Sequence, residues 1–201
     1  MFFVVRGSDG EAGRAAATWE GLVTSGVTAV LHGPSGEPGQ EQEPWRHLAL
    51  RLDAGGALDE DSLPWLGDTD GGASCDLRVP WSDDSGRALE AVEAVAAAVG
   101  ASGGLLFLAA DDLDRACGDE LGADDRTELA AHWAQTHGLA LVLVLSGTAV
   151  VAVKGDGRTQ QLEGPWPLEA PEERGRTVAR LLAAYLRCPA DLSQGLQVSD
   201  D

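Results

Sequence analysis

Hydrophobic and polar positions along the chain follow two periods, one typical of strands and one typical of helices. Short segments that are apolar or alternate with period two, bounded by Gly, Pro, Asp or Ser, indicate β-strands. Residues 47–53 alternate leucines with other residues, whereas 105–110 is apolar at every position. A strand that is apolar on both faces is typical of the centre of a sheet. The predicted strands are residues 2–6, 27–31, 47–53, 75–79, 105–110, 139–145, 148–154 and 158–163.

Apolar residues spaced three and four apart predict five helices. Ser8 and Glu11 have the spacing of a capping box, and the helix that follows carries Trp19 and Leu22 on its apolar face and ends at Gly26. A final helix begins at Pro171, which suits the first helical position. The three helices between them are predicted at residues 85–99, 111–121 and 123–137.

The order of these elements predicts an α/β (mixed α+β) fold. We expect one domain over 1–201, with a mixed sheet of about six to eight strands and helices packed against it. The turns at Ser146-Gly147 and at 155–157 predict that the last three strands form an antiparallel meander. Between these elements we expect an acidic surface loop at about 54–74, with one helical turn near 63–66, and a flexible tail from about 190.

The charge of the chain limits its partners. Its 201 residues include 33 acidic and 14 basic ones, a formal net charge of −19. Such a chain repels nucleic-acid phosphates and anionic lipid, so direct nucleic-acid or membrane binding is not expected. It can attract a basic protein through long-range electrostatics.

Cysteine content and apolar run length predict the compartment. The three cysteines are far apart and odd in number, which favours a reducing cytoplasm over a disulfide-stabilised fold. No apolar run has the length of a membrane span, and the apolar start is too short for a signal peptide. We therefore predict a cytoplasmic protein, with its oligomeric state left open.

The acid-rich stretch 53–84 suggests a function. It holds nine acids and one base, Arg78, together with Trp65 and Trp81. Acids with aromatic anchors suit a non-enzymatic, antitoxin-like inhibitor or immunity protein that covers a basic protein partner. A solvated loop is the alternative for this stretch. No catalytic residue or cofactor is predicted, and the expected partner-binding residues are Asp59, Glu60, Asp61, Trp65, Asp68, Asp70 and Trp81.

A second acidic cluster gives an alternative function. Asp111, Asp112 and Asp114 follow the central strand, and carboxylates at the end of such a strand can hold Mg²⁺. Asp112-x-Asp114 resembles the nucleophile pair of haloacid-dehalogenase-type phosphatases, although Ala116 departs from that family's Thr or Val. The alternative is therefore an Mg²⁺-dependent phosphate-processing enzyme. Another interpretation is that these acids only cap helix N-termini.

Other candidates are incomplete or not decided by the sequence. The turn at 32–37 contains Gly33 and Ser35, but neither a nucleophile elbow nor a P-loop is complete there. His132 and His137 do not have the i, i+4 spacing of a helical zinc pair. A nucleic-acid mimic and a structural subunit of an assembly are further alternatives. Tryptophans that follow a proline are expected to cover the core in most cases.

Overall fold

An eight-stranded sheet forms the centre of the computed structural model, which describes residues 2–32, 45–59, 61–67, 69, 71–82 and 84–197. The strand order is β2-β1-β3-β4-β5-β6-β7-β8. The strands are β1 (Phe2–Gly7), β2 (Thr28–His32), β3 (Trp45–Arg51), β4 (Ala73–Arg78), β5 (Leu105–Ala109), β6 (Leu141–Leu145), β7 (Ala149–Lys154) and β8 (Thr159–Glu163).

Strand direction divides the sheet into two parts. Strands β1 to β6 are parallel, and Leu105 of β5 is in register with Ser74 of β4 and with Leu141 of β6. β7 is antiparallel to β6, and β8 is antiparallel to β7. The predicted mixed sheet, the C-terminal meander and the inner position of β5 are therefore confirmed.

Helices cover both faces of the sheet. On one face α1 packs against α6 and α6 against α7, while α2, α3, α4 and α5 pack together on the other face. This layering gives the α/β class that the sequence predicts. The helices are α1 (Ala12–Thr24), α2 (Ser62–Gly67), α3 (Ser85–Gly100), α4 (Ala110–Cys117), α5 (Ala123–His137), α6 (Pro171–Arg187) and α7 (Leu192–Gln197).

Alternation along the central strand supplies both hydrophobic cores. Leu106 and Leu108 of β5 belong to the core under α2–α5. Leu105 and Phe107 belong to the core under α1 and α6. All four side chains are fully buried, which explains why this strand is apolar on both faces.

Two segments predicted as irregular are partly helical. The expected surface loop at 54–74 contains α2, whose Trp65 and Leu66 are buried in the core, and the start of β4. The expected flexible tail contains α7, whose Leu192 is buried against α6. The helical turn expected near 63–66 lies within α2, and in both segments a few apolar side chains are enough to dock a short helix.

Among the described helices, none combines the length and the apolar character that crossing a membrane requires.

Candidate functional site

A cleft lies at the carboxyl edge of the sheet, between the first turns of α4 and α6. We call it the polar cleft; its volume is about 630 Å³. Ala109 at the end of β5, Ser146 after β6 and the segment 165–169 before α6 line it. Among the described residues, its charged lining consists of Arg14, Arg78, Arg115, Arg174, Asp111, Asp112, Glu169 and Glu173. Crevices at this edge of open α/β sheets are where such folds bind ligands.

A buried network of charged side chains forms the floor of the polar cleft. Arg174, in the first turns of α6, donates from Nε to Asp76 Oδ1 at 2.9 Å and from Nη1 to Asp112 Oδ2 at 2.6 Å. Its Nη2 also donates to the carbonyl oxygen of Leu77 at 2.7 Å. One guanidinium thus joins α6, β4 and α4, although these residues lie 98 and 62 positions away from it in sequence.

A second arginine extends this network to α1. Arg14 is fully buried and donates from Nη2 to the carbonyl oxygen of Leu50 at 2.7 Å. Its Nη1 lies 3.1 Å from Asp76 Oδ2, and its Nε lies 2.9 Å from Glu11 Oε2. We call Glu11, Arg14, Asp76, Asp112 and Arg174 the buried network.

Opposite charges keep these groups ionised despite their burial. Burial by itself would raise the pKa of Asp76, but Arg14 and Arg174 outweigh it and hold that pKa below its ordinary value. Burial would likewise lower the pKa of Arg174, but Asp76 and Asp112 raise it above the usual range. For Arg14 burial dominates, and its pKa is lowered in spite of Asp76 and Glu11. The network therefore depends on every partner, since removing one leaves another charge buried and unpaired.

Two arginines of the polar cleft are less engaged than those of the network. Arg78 follows Leu77 at the end of β4, and its side chain pairs with no described residue. Arg115 contacts Asp112 Oδ1 and the carbonyl oxygen of Val79, both at 3.3 Å. Arg78 is therefore the cation best placed to meet an anion from solvent.

A second crevice lies where the strand order reverses, between β1 and β3. Its volume is about 380 Å³, and Ser8, Arg51, Asp53 and Asp59 are among its lining residues. Such a reversal point is a common ligand position in open α/β sheets. Both openings lie on the carboxyl edge of the same sheet.

A buried histidine lies one strand away from the network. His47 of β3 is fully buried, and its Nδ1 lies 2.9 Å from the Oγ of Ser74. Its Nε2 has no hydrogen-bond partner in the described part of the chain. Burial lowers the pKa of His47 to about 4, with Asp76 opposing this shift and Arg14 adding to it.

The three acids predicted to bind Mg²⁺ do not converge. Asp112 is engaged by Arg174 and Arg115, and Asp114 by Arg126, whose Nη2 lies 2.7 Å from Asp114 Oδ2. Asp111 points outward, with its side chain 79% exposed. No cluster of three His, Cys, Asp or Glu residues that could hold a metal ion occurs within the described ranges.

The residues predicted to bind a protein partner do not form one described surface. Asp59 and Asp61 are exposed, whereas Trp65 is only 9% exposed and lies under the guanidinium groups of Arg6 and Arg46. Trp65 is thus a core residue. Trp81 is exposed and lies beside α4. Glu60, Asp68 and Asp70 lie outside the described residues. Residues 33–37 of the turn predicted at 32–37 lie outside them as well.

Sequence reasoning missed the residues of the buried network outside the acid cluster. One signal was available, because Asp76 lies between Cys75 and Leu77 in the predicted strand 75–79. A carboxylate in a buried strand requires a cationic partner. Its partners could not be identified, since Arg14 and Arg174 have no local pattern that distinguishes them from surface arginines.

Comparison with known proteins identifies the fold. No family model and no curated protein matches the sequence. Among solved structures, pyridoxal kinase from Staphylococcus aureus in complex with ADP aligns with a TM-score of 0.64 at 12% identity, covering 97% of this chain and 82% of that one. Phosphomethylpyrimidine kinase from Clostridium difficile 630 aligns with a TM-score of 0.59 at 10% identity, covering 98% and 96%.

A third structure supports the same assignment. A pyrophosphate-dependent kinase in the ribokinase family, complexed with a pyrophosphate analogue and myo-inositol, aligns with a TM-score of 0.56 at 15% identity over 97% of this chain and 90% of that one. The chain therefore has a ribokinase-like α/β fold.

The comparison corrects the prediction of an inhibitor or antitoxin-like protein. The structures similar to this chain are kinases, so that function and its class were wrong. The inference failed because net charge informs on solubility and association, and not on fold or activity. The alternative of a phosphate-processing enzyme agrees better with these structures. The expected basic protein partner stays a prediction.

Proposed function

We propose that the protein is a phosphotransferase that binds a phosphate-bearing donor in the polar cleft. The observation that carries this proposal is the position of the cleft. It opens at the carboxyl edge of a ribokinase-like sheet, beside the first turns of α4 and α6, and Arg78, Arg115 and Arg174 line it. Of the similar structures, the pyridoxal kinase is in complex with ADP and the pyrophosphate-dependent kinase with a pyrophosphate analogue.

Two arginines of the polar cleft support an anionic donor, although its whole lining balances four arginines with four carboxylates. The cationic groups of Arg78 and Arg115 border the space above the buried network, and the N-terminus of α6 adds the positive end of its helix dipole. Arg174 is already saturated by Asp76 and Asp112. Arg78 is therefore the proposed phosphate-binding residue, and Arg174 fixes the floor beneath it.

Asp111 is the proposed base. It lines the polar cleft at the first turn of α4, its side chain is exposed, and its closest ion-pair distance is 3.9 Å, to Arg115 Nη2. In phosphoryl transfer an acceptor hydroxyl gives its proton to such a carboxylate while its oxygen bonds to phosphorus, and the donor leaves as a diphosphate or phosphate. The acceptor hydroxyl is therefore expected to enter the polar cleft beside Asp111.

Phosphoryl transfer ordinarily uses Mg²⁺. Asp112 and Asp114 are occupied by arginines, so the residues present do not fit the metal site predicted from Asp111, Asp112 and Asp114. No step is assigned to a metal held by these side chains.

A direct assay tests the proposal. Purified protein is incubated with MgCl₂, with ATP or pyrophosphate as donor, and with pyridoxal, a hydroxymethylpyrimidine or myo-inositol as acceptor, and transfer is followed by ³¹P NMR. Arg78→Gln is expected to weaken donor binding at least tenfold, while Asp111→Asn abolishes transfer and leaves donor binding intact. Arg87→Gln, an exposed arginine outside the cleft, is the matched control. The proposal would be refuted if the protein bound neither ATP nor pyrophosphate and transferred phosphate to none of these acceptors.

We further propose that the protein works in the cytoplasm. Cys75, Cys117 and Cys188 are all unpaired, as expected where thiols are kept reduced. Cell fractionation tests this, and recovery of the protein outside the cytoplasm would contradict it.

A further inference from the structure

Trp81 is the one large aromatic side chain that the described structure leaves mostly open to solvent. It is 77% exposed, whereas Trp45, Trp65, Trp133 and Trp166 are buried. Tryptophan is highly buried on average, because exposing its large apolar surface to water is unfavourable. An exposed tryptophan at the mouth of a cavity is therefore a candidate for contact with a ligand.

Its neighbours fix the position of the ring. The guanidinium carbon of Arg115 lies 5.6 Å from the centre of the Trp81 ring. Arg115 is itself held by the buried carboxylate of Asp112 and by the carbonyl oxygen of Val79. Pro80 precedes the tryptophan and restricts the backbone. These contacts restrict the ring, which lowers the entropy cost of stacking a ligand on it.

The cavity beside Trp81 has the volume of a small molecule and an excess of negative charge. We call it the Trp81 cavity; its volume is about 380 Å³. Asp114 is neutralised by Arg126, and Arg115 offsets one further carboxylate. The carboxylates that stay unpaired give the cavity a negative charge near the end of α4. The charged residues that line the Trp81 cavity, among those described, are Asp111, Asp114, Asp119, Glu120 and Arg115.

We propose that the Trp81 cavity binds a small, flat, positively charged heteroaromatic compound. The ring of such a compound stacks on the exposed part of Trp81, and its cationic edge faces Asp119 and Glu120. An anionic ring would be repelled by the same carboxylates, and a cation without a ring would lack the stacking surface. The Trp81 cavity shares Asp111 and Arg115 with the polar cleft, but Asp119 and Glu120 line only the Trp81 cavity, and the proposal does not rest on phosphoryl transfer.

Three probes of similar size separate the two requirements. Protonated 4-aminopyridine is flat and cationic, nicotinate is flat and anionic, and cyclohexylammonium is cationic without an aromatic ring. Binding to the full-length protein is followed by saturation-transfer NMR and by titration of tryptophan fluorescence. We expect 4-aminopyridine to bind at least fivefold more tightly than either of the other two probes.

Paired variants test which residues carry the binding. Trp81→Ala is expected to weaken 4-aminopyridine binding at least fivefold, and Trp81→Phe to retain most of it. The double variant Asp119→Asn, Glu120→Gln is expected to weaken it at least threefold. Glu90→Gln, Glu93→Gln, which removes the same charge from exposed positions of α3, is expected to leave it unchanged.

Several results would overturn the proposal. They are equal binding of the three probes, no measurable binding of 4-aminopyridine, or binding that survives Trp81→Ala. An equal effect of the two double variants would also overturn it, because the loss would then reflect net charge alone. None of the probes contains phosphorus, so the outcome is independent of the donor and acceptor assays above.

Discussion

Acid should destabilise this protein through His47, whose buried imidazole resists protonation. The imidazole is fully buried in β3, and its Nε2 has no hydrogen-bond partner among the described residues. Protonation would leave the Nε2–H of the buried ring without an acceptor. It would also add a positive charge that Arg14 repels. The pKa of His47 is accordingly lowered from 6.5 to about 4.

The direction of the pH effect follows from this lowered pKa. The unfolded chain takes up the proton near pH 6.5, whereas the folded chain resists it until about pH 4. The contribution of His47 to stability is therefore present above pH 6.5 and is lost progressively as the pH falls toward 4. A difference of this size corresponds to about 3 kcal/mol in total, of which about 2 kcal/mol is lost by pH 5.

Urea unfolding monitored by tryptophan fluorescence at pH 7, 6 and 5 measures this loss. His47→Gln keeps an amide that can bond to Ser74 but cannot titrate, so its stability should depend much less on pH. Both proteins lose stability in the same way when their carboxylates are protonated. Subtracting one free energy of unfolding from the other at each pH therefore leaves the contribution of His47. His132→Gln, at an exposed position of α5, is the control and should keep the wild-type profile.

One outcome would refute this reasoning. If the stability difference between the wild-type protein and His47→Gln changes by less than about 0.5 kcal/mol from pH 7 to pH 5, the imidazole does not resist protonation as its surroundings require. An NMR titration that gives His47 a midpoint near 6.5 would lead to the same conclusion.

Two further predictions concern the floor of the polar cleft. Arg174→Met should cost about 3–5 kcal/mol in urea unfolding, because Asp76 and Asp112 would stay buried without their guanidinium; a loss below about 1 kcal/mol would mean that water or rearrangement replaces it. Gly175→Ala should cost about 1–3 kcal/mol, since a Cβ there would lie 2.5 Å from the carbonyl oxygen of Arg14 and force α1 away from α6; an unchanged melting temperature would contradict this close packing.

The elements of the fold were largely predictable from the sequence, because their signals are local. The alternation in β3, the apolar run of β5 and the spacing in α6 each depend on a few consecutive residues. The short helices α2 and α7 were less visible, because six residues give little periodicity. Their docking depends on distant partners that a local pattern does not contain.

For the acid cluster after β5, the local pattern predicted the position of the residues but not their separate roles. Its position at the carboxyl edge of the sheet was predicted correctly, and Asp111 and Asp112 do line the polar cleft. Their roles differ, since Asp112 is buried among arginines and Asp111 is open to solvent. Two adjacent residues of the same type gave no indication of this difference.

The sequence by itself determined the α/β class, the eight strands, the terminal meander and an excess of acidic residues, since each follows from residue type and local spacing. Only the tertiary structure decided which charges are paired. Arg174 meets Asp76 across 98 positions of sequence, and Trp65 is buried while Trp81 is exposed. Charge and hydrophobicity are properties of single residues, whereas burial and ion pairing depend on which distant segments the fold brings together.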